Sequence, residues 1–264
     1  TGVAKGVLYG HGAHYQLFEA QAVELSINST DVLHVSSGLY TNAGINGGIN
    51  AMMMVGGQAV IHSGRFEPER VLAAVERYRV TTAFWVPTML AMLTDALPQT
   101  TRDLASLRAN FYGSMPMPRS VHARTRELLP HVAQFQLYGS TEVGFAGVLR
   151  PEEDDGIRTA RPAYNTDMRI IDAAGQPVGV GAVGEIVVHA ATAGMMGYWH
   201  NPEATAQAIV NGWIHSGDLA RQEEGGYFTL VDRTRDMIIS GAHNIYSSEV
   251  EAVLAAHPAV AAVA

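Results

Sequence analysis

The sequence predicts an α/β chain in three parts: a parallel-sheet subdomain with flanking helices over residues 1–150, an antiparallel, barrel-like subdomain over 151–232, and the start of a small α+β domain over 233–264. Three observations carry that prediction. From Tyr15 to Gly144 short apolar runs alternate with stretches of helical spacing, whereas after Gly144 short strands are broken by Gly, Pro and Asn turns. The last part is a strand, a glycine turn and a capped helix. Strands separated by helices of ten or so residues need crossover connections, and crossovers build parallel sheets.

Taken in order, the spacing predicts a helix from Tyr15 to Leu25, a strand from Val32 to Val35, one helical stretch from Asn42 to Val55 and a strand from Ala59 to His62. Pro68 stands near the start of a helix with Val71, Leu72, Val75 and Tyr78 on one face. The β-branched and aromatic run Val80 to Val86 is a buried strand, and Pro87 opens the helix after it. Phe111 and Tyr112, a helix from Pro118 to Leu129 and a strand from Ala133 to Leu137 repeat the scheme. Short strands are expected at Arg169 to Asp172, Glu185 to His189 and Tyr227 to Val231. The closing unit is a strand from Met237 to Ile239 and a helix from Ser248 to His257, with Ser247 and Ser248 as caps ahead of Glu249 and Glu251.

Composition narrows the function classes. The chain has 264 residues, 47% hydrophobic and 16% charged, enough to bury a real core. With 17 basic against 25 acidic residues and no basic stripe, nucleic acid and anionic membranes are poor partners. The absence of cysteine excludes disulfides, thiolate metal sites and a Cys nucleophile, and fits a cytoplasmic setting. The apolar stretch Ala43 to Ile61 is interrupted by Asn, Gln and Gly, so it is a poor membrane span. The chain begins on Thr and closes on an apolar run without a turn, so both ends are expected to be cut. Of the 17 basic residues only Lys5 is Lys, and it sits between Ala4 and Gly6. An ammonium is a compact point charge unlike a planar guanidinium, which makes this exception a candidate anion contact.

Four clusters carry candidate chemistry. In Thr1-Gly2-Val3-Ala4-Lys5-Gly6 two glycines bare backbone N–H groups and a Lys can neutralise phosphate charge, although taken alone the pattern is more often an ordinary surface turn. Tyr138-Gly139-Ser140-Thr141-Glu142-Val143-Gly144 follows a strand, where loops of parallel sheets form the ligand crevice. It offers an aromatic face for a base, a hydroxyl for a phosphate and a carboxylate for magnesium; a solvated turn with a core Tyr is the alternative. His215-Ser216-Gly217-Asp218 places a carboxylate that can accept from a ribose diol, or is simply a Gly-Asp turn. Asp232-Arg233-Thr234-Arg235-Asp236 is a charge run that a solvated surface also explains.

In their order and spacing the four clusters resemble the adenylate-forming (AMP-binding) superfamily, of the acyl-CoA synthetase or fatty-acid–CoA ligase kind, as an internal fragment. Thr1 to Gly6 resembles the end of the family's phosphate loop, Tyr138 to Glu142 its Tyr-Gly-x-Thr-Glu, Ser216 to Asp218 its Thr-Gly-Asp, and Asp232 to Asp236 its Gly-Arg-x-Lys-Asp. Gly184-Glu185-Ile186, Gly197-Tyr198-Trp199 and Asn201-Pro202-Glu203-Ala204-Thr205 extend the match over the chain. The resemblance implies an acid–thiol ligase that uses ATP, magnesium and coenzyme A, releasing AMP and pyrophosphate. Lys5, Thr1 and Gly2 would touch the phosphates, Thr141 the α-phosphate and Glu142 the metal. Tyr138, Gly139 and Ser140, with Gly113-Ser114-Met115-Pro116, would hold adenine, and Asp218 and Arg233 the ribose. Tyr40, Thr41, Gly44 and Gly144 would face the acid, Arg235 would be the hinge, and Gly241 would lie near the pantetheine tunnel.

Some positions depart from the family's pattern. Ala4 replaces a Pro, Thr41 a His at the acyl pocket, Met196 a frequent Lys or Arg, and Arg161-Pro162 lacks the usual Gly. These bear on the choice of acid, fatty or aryl, more than on reaction class. The small residues of Asn42 to Ala51 leave room for a chain or ring, or serve close helix packing. The family's adenylation Lys would lie beyond residue 264, so the chain alone is expected to be inactive. A carrier-protein-loading adenylation domain and a non-catalytic nucleotide- or acyl-binding module are the alternative readings.

Overall fold

The computed structural model describes residues 5–234, 236, 238–240, 243–255, 257 and 260. A short strand, β1 (Val7–Leu8), leads into helix α1 (His11–Glu24). Then come β2 (Val32–Val35), α2 (Asn42–Asn46), α3 (Ile49–Val55), β3 (Gln58–Ile61), α4 (Pro68–Tyr78), β4 (Thr82–Phe84), α5 (Pro87–Ala96), β5 (Ala109–Tyr112), α6 (Arg119–Leu128) and β6 (Ala133–Ser140). With β7 (Gly144–Leu149) and β8 (Arg161–Pro162) they form a seven-stranded sheet in the order β3-β2-β4-β5-β6-β7-β8. The first five of these pair in parallel and the last two add on antiparallel.

Both faces of this sheet are covered, which is why its strands read as apolar runs rather than alternations. One face packs Leu33, Val35, Phe84 and Phe111 against Leu17 and Ala20 of α1 and Met52 of α3. The other packs Ala83, Trp85 and Tyr112 against Val71, Leu72 and Val75 of α4 and Leu90 and Leu93 of α5. Each buried Val, Leu, Phe or Met side chain among these contributes about 1.5–3 kcal/mol relative to exposure. Helix α4 begins with Pro68 at its first turn and stops at Arg79, whose φ of 51° is left-handed.

A second sheet of five strands is antiparallel throughout: β9 (Met168–Ile171), β10 (Val183–His189), β12 (Ile209–Val210), β13 (Trp213–Gln222) and β14 (Phe228–Arg233), with β13 central. Between them lie α7 (Ala190–Ala193), β11 (Gly197–Tyr198), which pairs with β1, and α8 (Pro202–Ala208). The closing unit is a hairpin of β15 (Ile238–Ser240) and β16 (His243–Ile245), then α9 (Ser247–Ala255). Asp232 accepts from the Ser247 backbone N–H at 2.5 Å and from its hydroxyl at 2.9 Å, so α9 is capped by a residue of β14.

Four local expectations are corrected. The single helix read over Asn42 to Val55 is two, broken at Gly47 and Gly48. Gly48 has φ 132°, and a Cβ on Gly47 would come within 3.0 Å of the Phe84 ring, so the break lets the chain lie close on the sheet. Tyr138, Gly139 and Ser140 belong to the strand itself, and only Thr141 to Val143 form the turn. The run His215 to Asp218, for which a Gly-Asp turn was the alternative reading, lies inside the ten-residue β13. Its polar and small residues hid a strand that shifts register against both neighbours. Finally β7, buried at every position, was not read as a strand because it has no alternation and carries Gly144 and Gly147.

Candidate active site

The β6–β7 hairpin extends from the last parallel strand of the large sheet, and the sequence clusters meet on it. On one side is Tyr138, 6% exposed, its ring edge-on to Phe228 at 5.3 Å between centroids. Its hydroxyl donates to Asp218 Oδ2 at 2.8 Å, and the Arg233 Nε lies 3.5 Å from Asp218 Oδ1. Burial, and then the Asp218 charge, push the Tyr138 phenol well above its ordinary range, so it stays an O–H donor.

Asp218 is held by its own strand. The Ser216 hydroxyl donates to the Ile186 carbonyl at 2.7 Å and accepts from the Asp218 N–H at 3.0 Å. Glu185 accepts from the Gly217 N–H at 3.0 Å and lies 2.8 Å from His215 Nδ1. The Gly184-Glu185-Ile186 run thus shapes the bulge from which Asp218 projects. Gly184 fits because a Cβ there would stand 2.3 Å from the Ile171 carbonyl oxygen.

On the other side of the hairpin is Glu142. Its Oε1 accepts from the Tyr198 hydroxyl at 2.8 Å and its Oε2 from the Ser140 hydroxyl at 3.2 Å. Ser140 Oγ also accepts from the Glu142 N–H at 3.1 Å, making the turn a hydroxyl-capped loop. The exposed Lys5 places its ammonium 4.3 Å from the centroid of the Tyr198 ring. Tyr9 donates its hydroxyl to the Thr141 carbonyl oxygen. Burial, reinforced by the Glu142 hydrogen bond and charge, pushes the Tyr198 phenol up to about 12. Thr141 itself is exposed.

Gly113 is buried under the hairpin strand, where a Cβ would come 2.5 Å from the Leu137 carbonyl oxygen. Ser114, in the left-handed region at φ 70°, turns the chain outward, and Ser114, Met115 and Pro116 are exposed. Tyr40 is 95% exposed, and Thr41 caps α2 by accepting from the Gly44 N–H at 3.0 Å. Gly44 is a packing glycine, since a Cβ there would overlap the Gly38 carbonyl oxygen at 2.1 Å. Thr1, Gly2, Arg235 and Gly241 lie outside the described residues.

The structure therefore draws Lys5 and Glu142 together through Tyr198, and Tyr138, Asp218 and Arg233 together directly. One hairpin carries both groups. The seats expected for the acid, Tyr40, Thr41 and Gly44, join it through α2: Asn42 donates to the Ser140 carbonyl at 3.2 Å. Tyr9 escaped the sequence reading, which quoted Asn42, Glu185, His215 and Tyr198 within runs but gave them no contact of their own. Tyr9 carries no local signal, because what matters is a partner far away in the chain. Among the described residues no group of three or more His, Asp or Glu is placed to hold a metal ion. A single carboxylate such as Glu142 suits magnesium nevertheless, since that ion takes one or two carboxylates and completes its shell with water and phosphate oxygens. Asp218, with a side chain 17% exposed, suits a diol.

A hairpin beyond the carboxyl ends of a parallel sheet, with Asp218 meeting it on one side and Glu142 and the exposed Lys5 on the other, makes this an α/β protein with polar groups where such sheets place their ligands. More particularly, the chain belongs to the AMP-binding enzyme family, whose pattern matches residues 1–199. It is 39% identical over 268 residues to a feruloyl-CoA synthase of Amycolatopsis sp, covering 100% of this chain and 54% of that protein. It is 35% identical over 240 residues to the medium/long-chain-fatty-acid–CoA ligase FadD8 of Mycobacterium tuberculosis, covering 89% and 40%. In structure it is similar to O-succinylbenzoate coenzyme A synthetase (MenE) of Bacillus subtilis in complex with ATP and magnesium ion, at TM-score 0.87 and 32% identity over 98% of this chain and 53% of that one. The amide bond synthetase McbA of Marinactinospora thermotolerans also has TM-score 0.87, with 34% identity over 100% and 53%. The chain spans about half the length of the curated relatives it matches.

Proposed function

We propose that this chain is the nucleotide-gripping part of an AMP-forming acid–thiol ligase, which adenylates a fatty or aryl carboxylic acid with ATP and passes the acyl group to coenzyme A. The observation that carries the reading is the hairpin that joins a Tyr138–Asp218 pair to a Lys5–Tyr198–Glu142 chain. In this reading Asp218 and Arg233 receive the ribose hydroxyls, and adenine lies between Tyr138 and the loop 113–116. Gly139 and Ser140 shape the strand beside the base, Thr141 meets the α-phosphate, and Lys5, Thr1 and Gly2 meet the phosphates. Glu142 would hold magnesium, which supplies charge neutralisation on the phosphate oxygens.

The substrate carboxylate attacks the α-phosphorus as the bond to pyrophosphate breaks, giving an acyl-adenylate. The thiol of coenzyme A then forms the C–S bond, AMP leaves with the former carboxylate oxygen, and the thiol proton goes to water. Adenylyl transfer needs positioning and charge neutralisation more than covalent help, so no side chain has to act as nucleophile. Tyr40, Thr41, Gly44 and Gly144 form the acid side, and Arg235 the hinge, of the same proposal. So do the divisions of the chain near 150 and 232; the large sheet itself takes in β8 at Arg161–Pro162.

The test is AMP release by the full-length protein across fatty, aryl and short acids, with and without coenzyme A. Acid-dependent AMP release that rises with coenzyme A is expected. Release that responds only to a carrier protein, or nucleotide binding with no turnover, would replace the reading with one of the two alternatives.

A further inference from the structure

The run from Gly197 to Thr205 matches the family but has no role in the chemistry above, and its geometry supplies one. We infer that Tyr198 is a positioning residue that sets Glu142 and Lys5 on either side of the phosphate-binding space, and that the Gly-Tyr-Trp and Asn-Pro-Glu-Ala-Thr segments exist to hold that one ring. The inference rests on the nucleotide reading just given.

Tyr198 touches both charges at once. Its hydroxyl donates to Glu142 Oε1 at 2.8 Å while the Lys5 ammonium sits 4.3 Å from its ring centroid. A phenol can do this because its hydroxyl is a donor in the ring plane and its face is electron-rich. A direct pair of that ammonium with that carboxylate would leave neither presented to phosphate or metal, and the ring gives each a different partner. The ring is buried.

The ring in turn is fixed from behind. The Tyr198 N–H donates to Thr205 Oγ1 at 2.8 Å, and the same hydroxyl donates to the Asn201 carbonyl oxygen at 2.8 Å. Asn201 caps α8 by accepting from the Ala204 N–H at 3.0 Å, with Pro202 in the first turn. Gly197, at φ 148°, lies where a Cβ would press on Thr205 Cγ2 at 2.8 Å. On the other edge, Val7 pairs with Tyr198 and Leu8 with Gly197, and the Trp199 N–H donates to the Gly6 carbonyl oxygen at 2.7 Å, beside Lys5. The Met195 N–H reaches the Glu142 carbonyl oxygen at 3.3 Å. These contacts lead from the run to Lys5 on one edge and to the Glu142 turn on the other.

The experiment is calorimetric binding of AMP without metal, and of ATP with and without magnesium, to full-length wild-type, Tyr198→Phe and Thr205→Val proteins, with thermal melting alongside. Tyr198→Phe keeps the ring face and removes only the donor, so about a ten-fold loss in magnesium-dependent ATP affinity is expected, with AMP affinity and melting temperature unchanged. Thr205→Val should shift the same way by a smaller factor, and Thr205→Ser should restore it. Unchanged magnesium–ATP affinity in Tyr198→Phe overturns the inference. So does an equal loss for AMP with a lowered melting temperature, which would make Tyr198 a merely structural residue. Wild-type protein that binds neither nucleotide would remove the nucleotide reading beneath it, and this inference with it.

Discussion

At the scale of single residues, a carboxylate and a buried imidazole are placed in contrasting environments. If Asp218 grips the ribose diol, Asp218→Ala in the full-length protein should weaken AMP binding about ten-fold or more, the cost of losing a charged hydrogen bond. The loss should be largely absent with 2′,3′-dideoxy-AMP, because wild-type and variant then lack the same interaction. Equal losses for both ligands in a titration would argue against that role. His34 is a different case. It is 0% exposed, its Nδ1 accepts from the Trp85 Nε1–H at 3.1 Å, and its Nε2 has no partner among the described residues. Burial first, and the nearby His62 second, lower its pKa to about 4. Since the unfolded chain binds this proton near pH 6.5 and the folded chain only near pH 4, stability is complete above 6.5 and falls as pH drops toward 4. The loss is bounded at about 3 kcal/mol. His14, lowered by burial and by His11, adds in the same direction. His34→Asn keeps an acceptor for Trp85 and removes the titration, so the urea midpoint should fall less between pH 7 and pH 4.5 in the variant. Identical slopes would show that His34 does not carry the effect.

At the scale of elements, the β6–β7 hairpin and α2 decide what the site can be. A methyl at Gly44 has no room beside the Gly38 carbonyl, so Gly44→Ala should cost about 1–3 kcal/mol of stability, read as a lowered melting temperature. An unchanged melt accompanied by an altered acid preference would instead mark Gly44 as open pocket wall. Much of this level was legible from residue spacing. Strands such as Val32–Val35, and helices such as α4 with its Pro68 start, follow from burial and backbone chemistry that are local in the chain. What stayed hidden depends on distant partners. The antiparallel β7 has an apolar pattern that fits helix, strand or loop until β6 pairs with it. Strand β13 carries Ser216-Gly217-Asp218, a turn-like run, and becomes a strand because β10 and β14 flank it and Glu185 satisfies the bulge. The motif residues, Tyr138 and Tyr198 among them, were visible, but the hydroxyl contacts that tie them together were not, since a hydroxyl's partner cannot be read from its neighbours.

At the scale of the whole molecule, helix α1 is held to the antiparallel edge of the large sheet by charge as well as by apolar packing. Glu24, on α1 and 4% exposed, accepts from Arg150 at 2.8 Å, from Arg161 at 3.1 Å and from the Tyr164 N–H at 2.8 Å. Burial alone would raise its pKa, but the Arg161 and Arg150 guanidiniums hold it below the usual carboxylate range. Glu24→Ala should lose about 3 kcal/mol in urea unfolding, the low end for a broken buried pair because both guanidiniums keep some access to water. A loss below about 0.5 kcal/mol would mean that water replaces the carboxylate at no cost. Among the described residues no helix is long and apolar enough to cross a membrane. Because the chain spans about half of its relatives, the 264-residue chain alone is expected to give no acid-dependent ATP–pyrophosphate exchange, and robust exchange would contradict that. The most direct measurement is a structure of the full-length protein soaked with ATP and magnesium. The expected density has the ribose hydroxyls on Asp218, the metal on Glu142 and the Lys5 ammonium at the phosphates, all on one nucleotide. A nucleotide bound elsewhere, for example in the shallow groove between Leu97, Arg102, Leu104 and His131, would contradict the shared site.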